Sequence, residues 1–264
     1  MDAGCASGID LSSEGEGRER GGGSGERRTA TRTSHPTPHT SQLTPHRLQL
    51  PTRPIPRVHA VTDDSVLAAA GFLERARRVM RVLGTRGAVH LRAHATPAAR
   101  LYEMACALAT EQEATGCWLV VNDRVDVALA SGAAAAQLTS RSLAVADARR
   151  IAASLALGAS VHAVAEARDA AQAGADWIVA GHLYATPTHP SVPAQGVEFM
   201  EEIVAASAVP CIAIGGIRAQ HVGALRARGV YGVAAIRGIW GERPDDAERA
   251  AIEYLSAYDE PAGP

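Results

Sequence analysis

The chain has 264 residues, 47% of them hydrophobic, and a formal net charge of −2 at pH 7, enough apolar material for one sizeable core at a length that single α/β barrels reach. This near-neutral balance gives no broad field to draw in nucleic acid or an anionic membrane, and no apolar run approaches the ~20 residues that span a bilayer. Lysine is absent and all 26 strongly basic side chains are arginine, which excludes Schiff-base catalysis through a lysine amine and the lysine-dependent P-loop.

Residues 1–56 are rich in Gly, Ser, Thr, Arg and Pro, with GGGSGERR followed by HPTPHTSQLTPH. Such a segment buries too little apolar surface to offset its ordering entropy, so a disordered tail is expected. Its start carries no apolar stretch of the secretory-signal kind. His35, His39 and His46 within it read as solvated side chains rather than metal ligands. The cysteines Cys5, Cys106, Cys117 and Cys211 are scattered without a CxxC pair, so reduced thiols in a cytoplasmic protein are expected, three of them as apolar filler.

From Val58 onward, short apolar runs alternate with Ala/Arg/Glu-rich stretches of helical period. Strands are expected over 58–64, 88–94, 118–123, 134–139, 156–161, 177–184, 210–216 and 232–240. Helices are expected over 73–84, 100–112, 147–156, 166–174, 198–207, 221–229 and 245–255. Eight repeats of this kind predict a parallel sheet covered on both faces, closed into a (β/α)8 TIM barrel that forms a single catalytic domain over 57–260. A doubly wound open sheet is the alternative. It usually has fewer strands, and no GxGxxG follows the first strand here.

Barrel chemistry sits at the C-terminal strand ends. At the seventh and eighth ends, Gly215 and Gly216 face Ile236 and Arg237, a combination suited to phosphate held by backbone amides and one guanidinium. The sixth loop is long and hydroxyl-rich, and places Thr186 and Thr188 over the mouth. His162 and Ser160 share one side of the fifth strand, where an imidazole can act as acid or base near neutral pH. His182 is a weaker candidate at the sixth. Asp123, after Asn122, either caps the following helix or holds Mg2+, and the cap is favoured. Asp63 and Asp64 are also expected to be caps.

Together these residues resemble the thiamine phosphate synthase / TenI family over nearly the whole of 58–258. The match runs through Val61-Thr62-Asp63, Val89-His90-Leu91-Arg92, the Asn122–Ala128 stretch NDRVDVA and Ser160-Val161-His162. It continues through Gly174–Ile178, Thr186-Pro187-Thr188-His189 and Ala213–Ile217. The resemblance implies one of two activities. The synthase joins hydroxymethylpyrimidine diphosphate to a thiazole phosphate and expels pyrophosphate, using Mg2+ on two aspartates and lysines on the diphosphate. The TenI-type tautomerase shifts a proton within a thiazole carboxylate phosphate and needs no metal.

Against the synthase pattern, this sequence has His90 for a glutamine, Ala93 for an acid and His94 for a lysine. Ser142 stands for the second metal aspartate and His189 for the loop-six lysine. Losing those charges removes much of the stabilisation a leaving diphosphate needs, although protonated histidines or Arg141 would substitute in part. The expectation is therefore a tautomerase without a cofactor. His162 shuttles the proton and Ser160 orients the ring. Phosphate lies on Gly215, Gly216, Ile236, Arg237, Thr186 and Thr188, and the ring pocket is made of His90, Arg92, His94, Asn122, His182 and His189. The synthase is the alternative, with Asp123 on Mg2+. A further alternative is a non-catalytic barrel that binds thiamine phosphates. The expected partner is a small phosphorylated thiazole, with no nucleic acid or membrane, and self-association into a homo-oligomer is left open.

Overall fold

The computed structural model describes residues 53–186, 193–241, 243 and 246–260. Most of the tail expected to be disordered lies outside them. Eight strands run β1 (Val58–Val61), β2 (Gly87–Leu91), β3 (Trp118–Asn122), β4 (Ala135–Leu138), β5 (Ala156–Val161), β6 (Trp177–Ala180), β7 (Cys211–Ile214) and β8 (Gly232–Ala235). All neighbours pair in parallel, and β1 pairs with both β2 and β8, so the sheet closes on itself as the sequence predicts.

The described helices are α1 (Asp64–Ala68), α2 (Phe72–Leu83), α3 (Ala98–Thr115), α4 (Val125–Ser131), α5 (Val145–Ile151), α6 (Val164–Gln172), α7 (Gly196–Ala206), α8 (Val222–Ala227), α9 (Arg237–Trp240) and α10 (Asp246–Asp259). The outer core lies between their apolar faces and the sheet, around Met80, Leu83, Leu108, Leu157 and Ile203. No described helix is long and apolar enough to cross a membrane.

The expected eighth strand is two elements. The apolar run 232–240 leaves the sheet after Ala235 and turns into α9, which buries Ile239 and Trp240. Periodicity alone does not separate a short apolar strand from a buried helical turn. The same limit hid α1 and α4, which are only 5 and 7 residues long. Asp63 caps α1 as expected, accepting from the Val66 amide at 2.9 Å. Asp64 is not a cap; its carboxylate accepts from the amides of His94, Ala95 and Thr96 and ties down the loop after β2.

Inside the barrel, Trp118 and Trp177 meet edge to face at 6.2 Å among Ala88, Ala135, Ala156 and Ala234. Small residues on facing strands leave room for two indoles. The last residues of the expected tail join this floor. Ile55 packs on the interior cluster, and its carbonyl accepts a 2.6 Å hydrogen bond from the Tyr231 hydroxyl.

Candidate active site

Strand alternation sends every second side chain of a barrel strand inward, and those near the C-terminal ends enclose the mouth. There they line a cavity of about 560 Å3. On the β2–β5 side stand His90, Arg92, His94, Asn122, Ser160 and His162. His182, Thr186, Gly215, Gly216, Ile236 and Arg237 stand on the β6–β8 side. All the described pocket residues expected from sequence therefore converge on one cavity. Thr188 and His189 lie outside the described residues. Arg141, which the sequence offers as a partial substitute for the missing charges, also lines the cavity, as do Gln137 and Arg218, which were not among the expected site residues. Gln137 had a signal, since it is the one polar residue in the four-residue β4. Arg218 had none beyond its nearness to Gly216.

His162 is the residue after β5, and its backbone amide donates to the Glu166 carboxylate at 2.7 Å, which pins the start of α6. Its ring Nδ1 lies 2.8 Å from the Gly181 carbonyl. A carbonyl can only accept, so a neutral ring carries its proton on Nδ1 and leaves Nε2 bare as a base. On the same strand, Ser160 Oγ accepts from Gln137 Nε2 at 3.0 Å, and Gln137 is almost wholly buried.

Deeper in, His59 and His90 form a buried pair, with His59 Nδ1 2.8 Å from His90 Nε2. His59 Nε2 donates to the Pro56 carbonyl at 2.9 Å, and His90 Nδ1 sits 3.1 Å from the Asn122 side-chain amide. Burial pushes the His59 imidazole down to about 4, against a small opposing effect of the Pro56 bond. Burial, then the neighbouring His59, holds His90 well below the usual imidazole range. Both rings are thus neutral at pH 7. His90, which stands in place of a neutral glutamine, is thus also a neutral hydrogen-bonding group.

Asp123 is not a helix cap. The N-cap of α4 is Arg124, without a side-chain capping bond. Asp123 Oδ1 instead accepts from the Thr139 amide at 3.1 Å, the Thr139 hydroxyl at 2.6 Å and the Ser142 hydroxyl at 2.8 Å. Its Oδ2 faces an Arg141 guanidinium nitrogen at 3.9 Å. Mg2+ wants near-octahedral oxygen ligation, commonly one or two carboxylates plus substrate phosphates. Asp123 offers one carboxylate, its Oδ1 taken by three donors and its Oδ2 buried, without a hydrogen-bond partner among the described residues and 3.9 Å from Arg141; with Ser142 where a second acid would stand, this falls short of such a set. Among the described residues no three His, Cys, Asp or Glu side chains gather to hold a metal.

Gly215 and Gly216 have φ of 102° and 65°, the left-handed region that favours glycine. They are needed for a reason other than ligand approach. A Cβ on Gly215 would fall 2.3 Å from His182 Cβ, and one on Gly216 2.7 Å from the Ala185 carbonyl oxygen. The loop after β6 lies directly on them, held by Leu183 and Tyr184 amides that donate to the Ile214 and Gly215 carbonyls. Across from this loop, the chain turns at Ile236 into α9, and Arg237 is the first helical residue.

The family described as thiamine monophosphate synthase matches residues 58–239. The thiamine-phosphate synthase of Pyrococcus horikoshii is 36% identical over 162 residues, 61% of this chain and 77% of that protein. The thiamine-phosphate synthase of Caldivirga maquilingensis is 29% identical over 209 residues, 77% of this chain and 97% of the relative. Among solved structures, thiamine phosphate pyrophosphorylase from Pyrococcus furiosus superposes with a TM-score of 0.68 at 30% identity, covering 77% of this chain and 95% of its own. These names favour the synthase alternative over the tautomerase expected from the sequence.

Proposed function

The chain belongs to the thiamine monophosphate synthase family of thiamine biosynthesis, and on that premise we propose that it isomerises a phosphorylated thiazole carboxylate by proton transfer through His162. The observation that carries this reading is the 2.8 Å contact from His162 Nδ1 to the Gly181 carbonyl, which frees Nε2 as a base beside the cavity. A tautomerisation takes one proton from the ring system and returns one elsewhere, with no net change in atoms or electrons. A single positioned imidazole meets that demand near neutral pH.

Backbone at Gly215, Gly216, Ile236 and Arg237, with the hydroxyls of Thr186 and Thr188, would hold the phosphate, and Ser160 would orient the ring. No cofactor enters the step. The test is turnover of the thiazole tautomer in EDTA, expected to be undiminished for the wild type.

A second reading is coupling of hydroxymethylpyrimidine diphosphate to thiazole phosphate, and the names of the relatives favour it. In that reading Asp123 would have to serve Mg2+ with Ser142 beside it in place of a second carboxylate. Mg2+-dependent release of pyrophosphate from the two substrates would establish it and remove the isomerase.

A further inference from the structure

His59 on β1, His90 on β2 and Asn122 on β3 join the Pro56 carbonyl in one line of contacts, which runs from below the strands to the cavity wall. Every ring nitrogen of the two imidazoles has one neighbour on this line. His59 Nε2 meets the Pro56 carbonyl at 2.9 Å, His59 Nδ1 meets His90 Nε2 at 2.8 Å, and His90 Nδ1 meets Asn122 Oδ1 at 3.1 Å. Each contact needs a proton between its two atoms. A backbone carbonyl and an amide oxygen stand at the two ends, and both can only accept. All three protons would therefore have to come from the rings. Two neutral imidazoles carry one N–H each, so the line is one proton short.

Two changes supply the missing proton. A third ring proton would place a full positive charge on a pair that is 0% and 1% exposed. No carboxylate among the described residues hydrogen-bonds to either ring, and burial opposes such a charge in the direction both imidazoles already show. The other change turns the Asn122 amide end for end. Its oxygen and NH2 group fill nearly the same space, and among the described residues the side chain bonds only to His90. The amide nitrogen then donates to His90 Nδ1, His90 Nε2–H to His59 Nδ1, and His59 Nε2–H to the Pro56 carbonyl. Every contact has its proton and no charge is buried.

We propose that His59 is a positioning residue: anchored on Pro56, it acts through His90 to hold the Asn122 oxygen toward the cavity as an acceptor. The ligand group that meets Asn122 is then a hydrogen-bond donor, an amino group or N–H on a heteroaromatic ring. Ionised phosphate and carboxylate oxygens only accept, so they are left to other parts of the cavity. This polarity serves either of the proposed reactions, since both bring a heteroaromatic ring to the site.

The experiment is NMR on the 15N-labelled full chain at pH 7.5 without ligand. Both His59 and His90 are expected as neutral Nε2–H tautomers, with a 15N–15N coupling between Asn122 Nδ2 and His90 Nδ1 that only an N–H···N bond transmits. A proton on His90 Nδ1, or a doubly protonated ring in the pair, overturns the proposal. Ligand preference is the second readout, with 2-aminothiazole and 2-methoxythiazole as probes. The wild type is expected to bind the amino compound at least about threefold more tightly, the scale of one neutral hydrogen bond. His59→Leu, which unties His90, should erase that preference. Equal or tighter binding of the methoxy compound by the wild type overturns the donor selectivity, and a preference that survives in His59→Leu removes His59 from the positioning role. The wild-type spectra decide the orientation of the amide whether or not the variant folds.

Discussion

The two walls of the cavity are built from different material. On the β7–β8 side the surface is backbone, with Gly215 and Gly216 in left-handed conformations beneath the β6 loop and a chain turn into α9. On the β2–β5 side it is side chain upon side chain: His59 on His90, His90 on Asn122, Gln137 on Ser160, and Arg141 on Asp123. A backbone wall offers amides and a helix start, which suit a phosphate on many unrelated substrates. A side-chain wall offers specific donors, acceptors and a base, and it decides which reaction the bound phosphate ester undergoes. Two chemistries, isomerisation and coupling, are proposed for this one barrel, so the difference between them is sought on the second wall.

The largest effect should come from that wall. His162→Gln is expected to lower turnover by roughly 10²–10⁴, the usual contribution of one acid/base group. Affinity for thiazole phosphate should stay within about twofold, because the proposed phosphate cradle lies on the opposite wall. A variant that lost phosphate affinity but kept its turnover would reverse the division of labour between the walls.

Acid should undo the side-chain wall next. The unfolded chain protonates a histidine at the ordinary 6.5, whereas folded His59 resists until about 4. Below 6.5 the unfolded state therefore binds more protons, and stability falls progressively as pH drops from 6.5 to about 4. For His59 alone the loss is on the order of 3 kcal/mol, and His90 shifts in the same direction. Denaturant melts at pH 7.5 and 4.5 measure it. A stability that stays flat until the carboxylate range would mean that the histidine pair is not buried neutral.

How far each wall could be read from sequence follows the same division. Gly215-Gly216 and Ile236-Arg237 are each short local signals at the ends of successive strands, and the barrel rule says where they lie. His162 and Ser160 follow from alternation on one strand. The His59–His90 pair joins positions 31 apart, and nothing local in either strand announces it. It needs the β1–β2 register that sets Val61 beside His90. Asp123 was misread because a carboxylate after a strand usually caps the next helix, while here Thr139 and Ser142 on the next loop claim it. Gly216 was placed in the right wall for an incomplete reason, since the Cβ it lacks would strike the β6 loop before any ligand.

Gly216→Ala puts an L side chain at φ 65° with its Cβ 2.7 Å from a carbonyl oxygen. The left-handed conformation alone costs roughly 1–2 kcal/mol, and backbone has little room to yield, so a loss of about 2 kcal/mol or more is expected. Displacing the β6 loop also moves Thr186, and affinity for thiazole phosphate should drop about tenfold. A drop in affinity at unchanged melting temperature would restore ligand approach as the reason for the glycine.

The smallest effect tests whether the side-chain wall acts as one unit. Ser160→Ala removes the acceptor for Gln137 Nε2, a bond of 3.0 Å in a nearly closed environment. Gln137 is 2% exposed, and among the described residues its Oε1 has no hydrogen-bond partner. The variant leaves both ends of a buried amide unsatisfied, where a net hydrogen bond is worth about 1 kcal/mol and an orphaned donor about 1–3. A fall of about 1 kcal/mol is expected if water reaches Nε2 from the cavity, with a severalfold loss of turnover. Gln137→Met discriminates between the two roles open to Ser160. If the serine matters only through Gln137, the methionine variant lowers turnover as much, and the double variant adds nothing further. If Ser160 touches the substrate ring, Gln137→Met keeps most of the turnover and the two losses add. Additive losses would make Ser160 a working group of the site, and a shared loss would make it a positioning residue on the wall that chooses the chemistry.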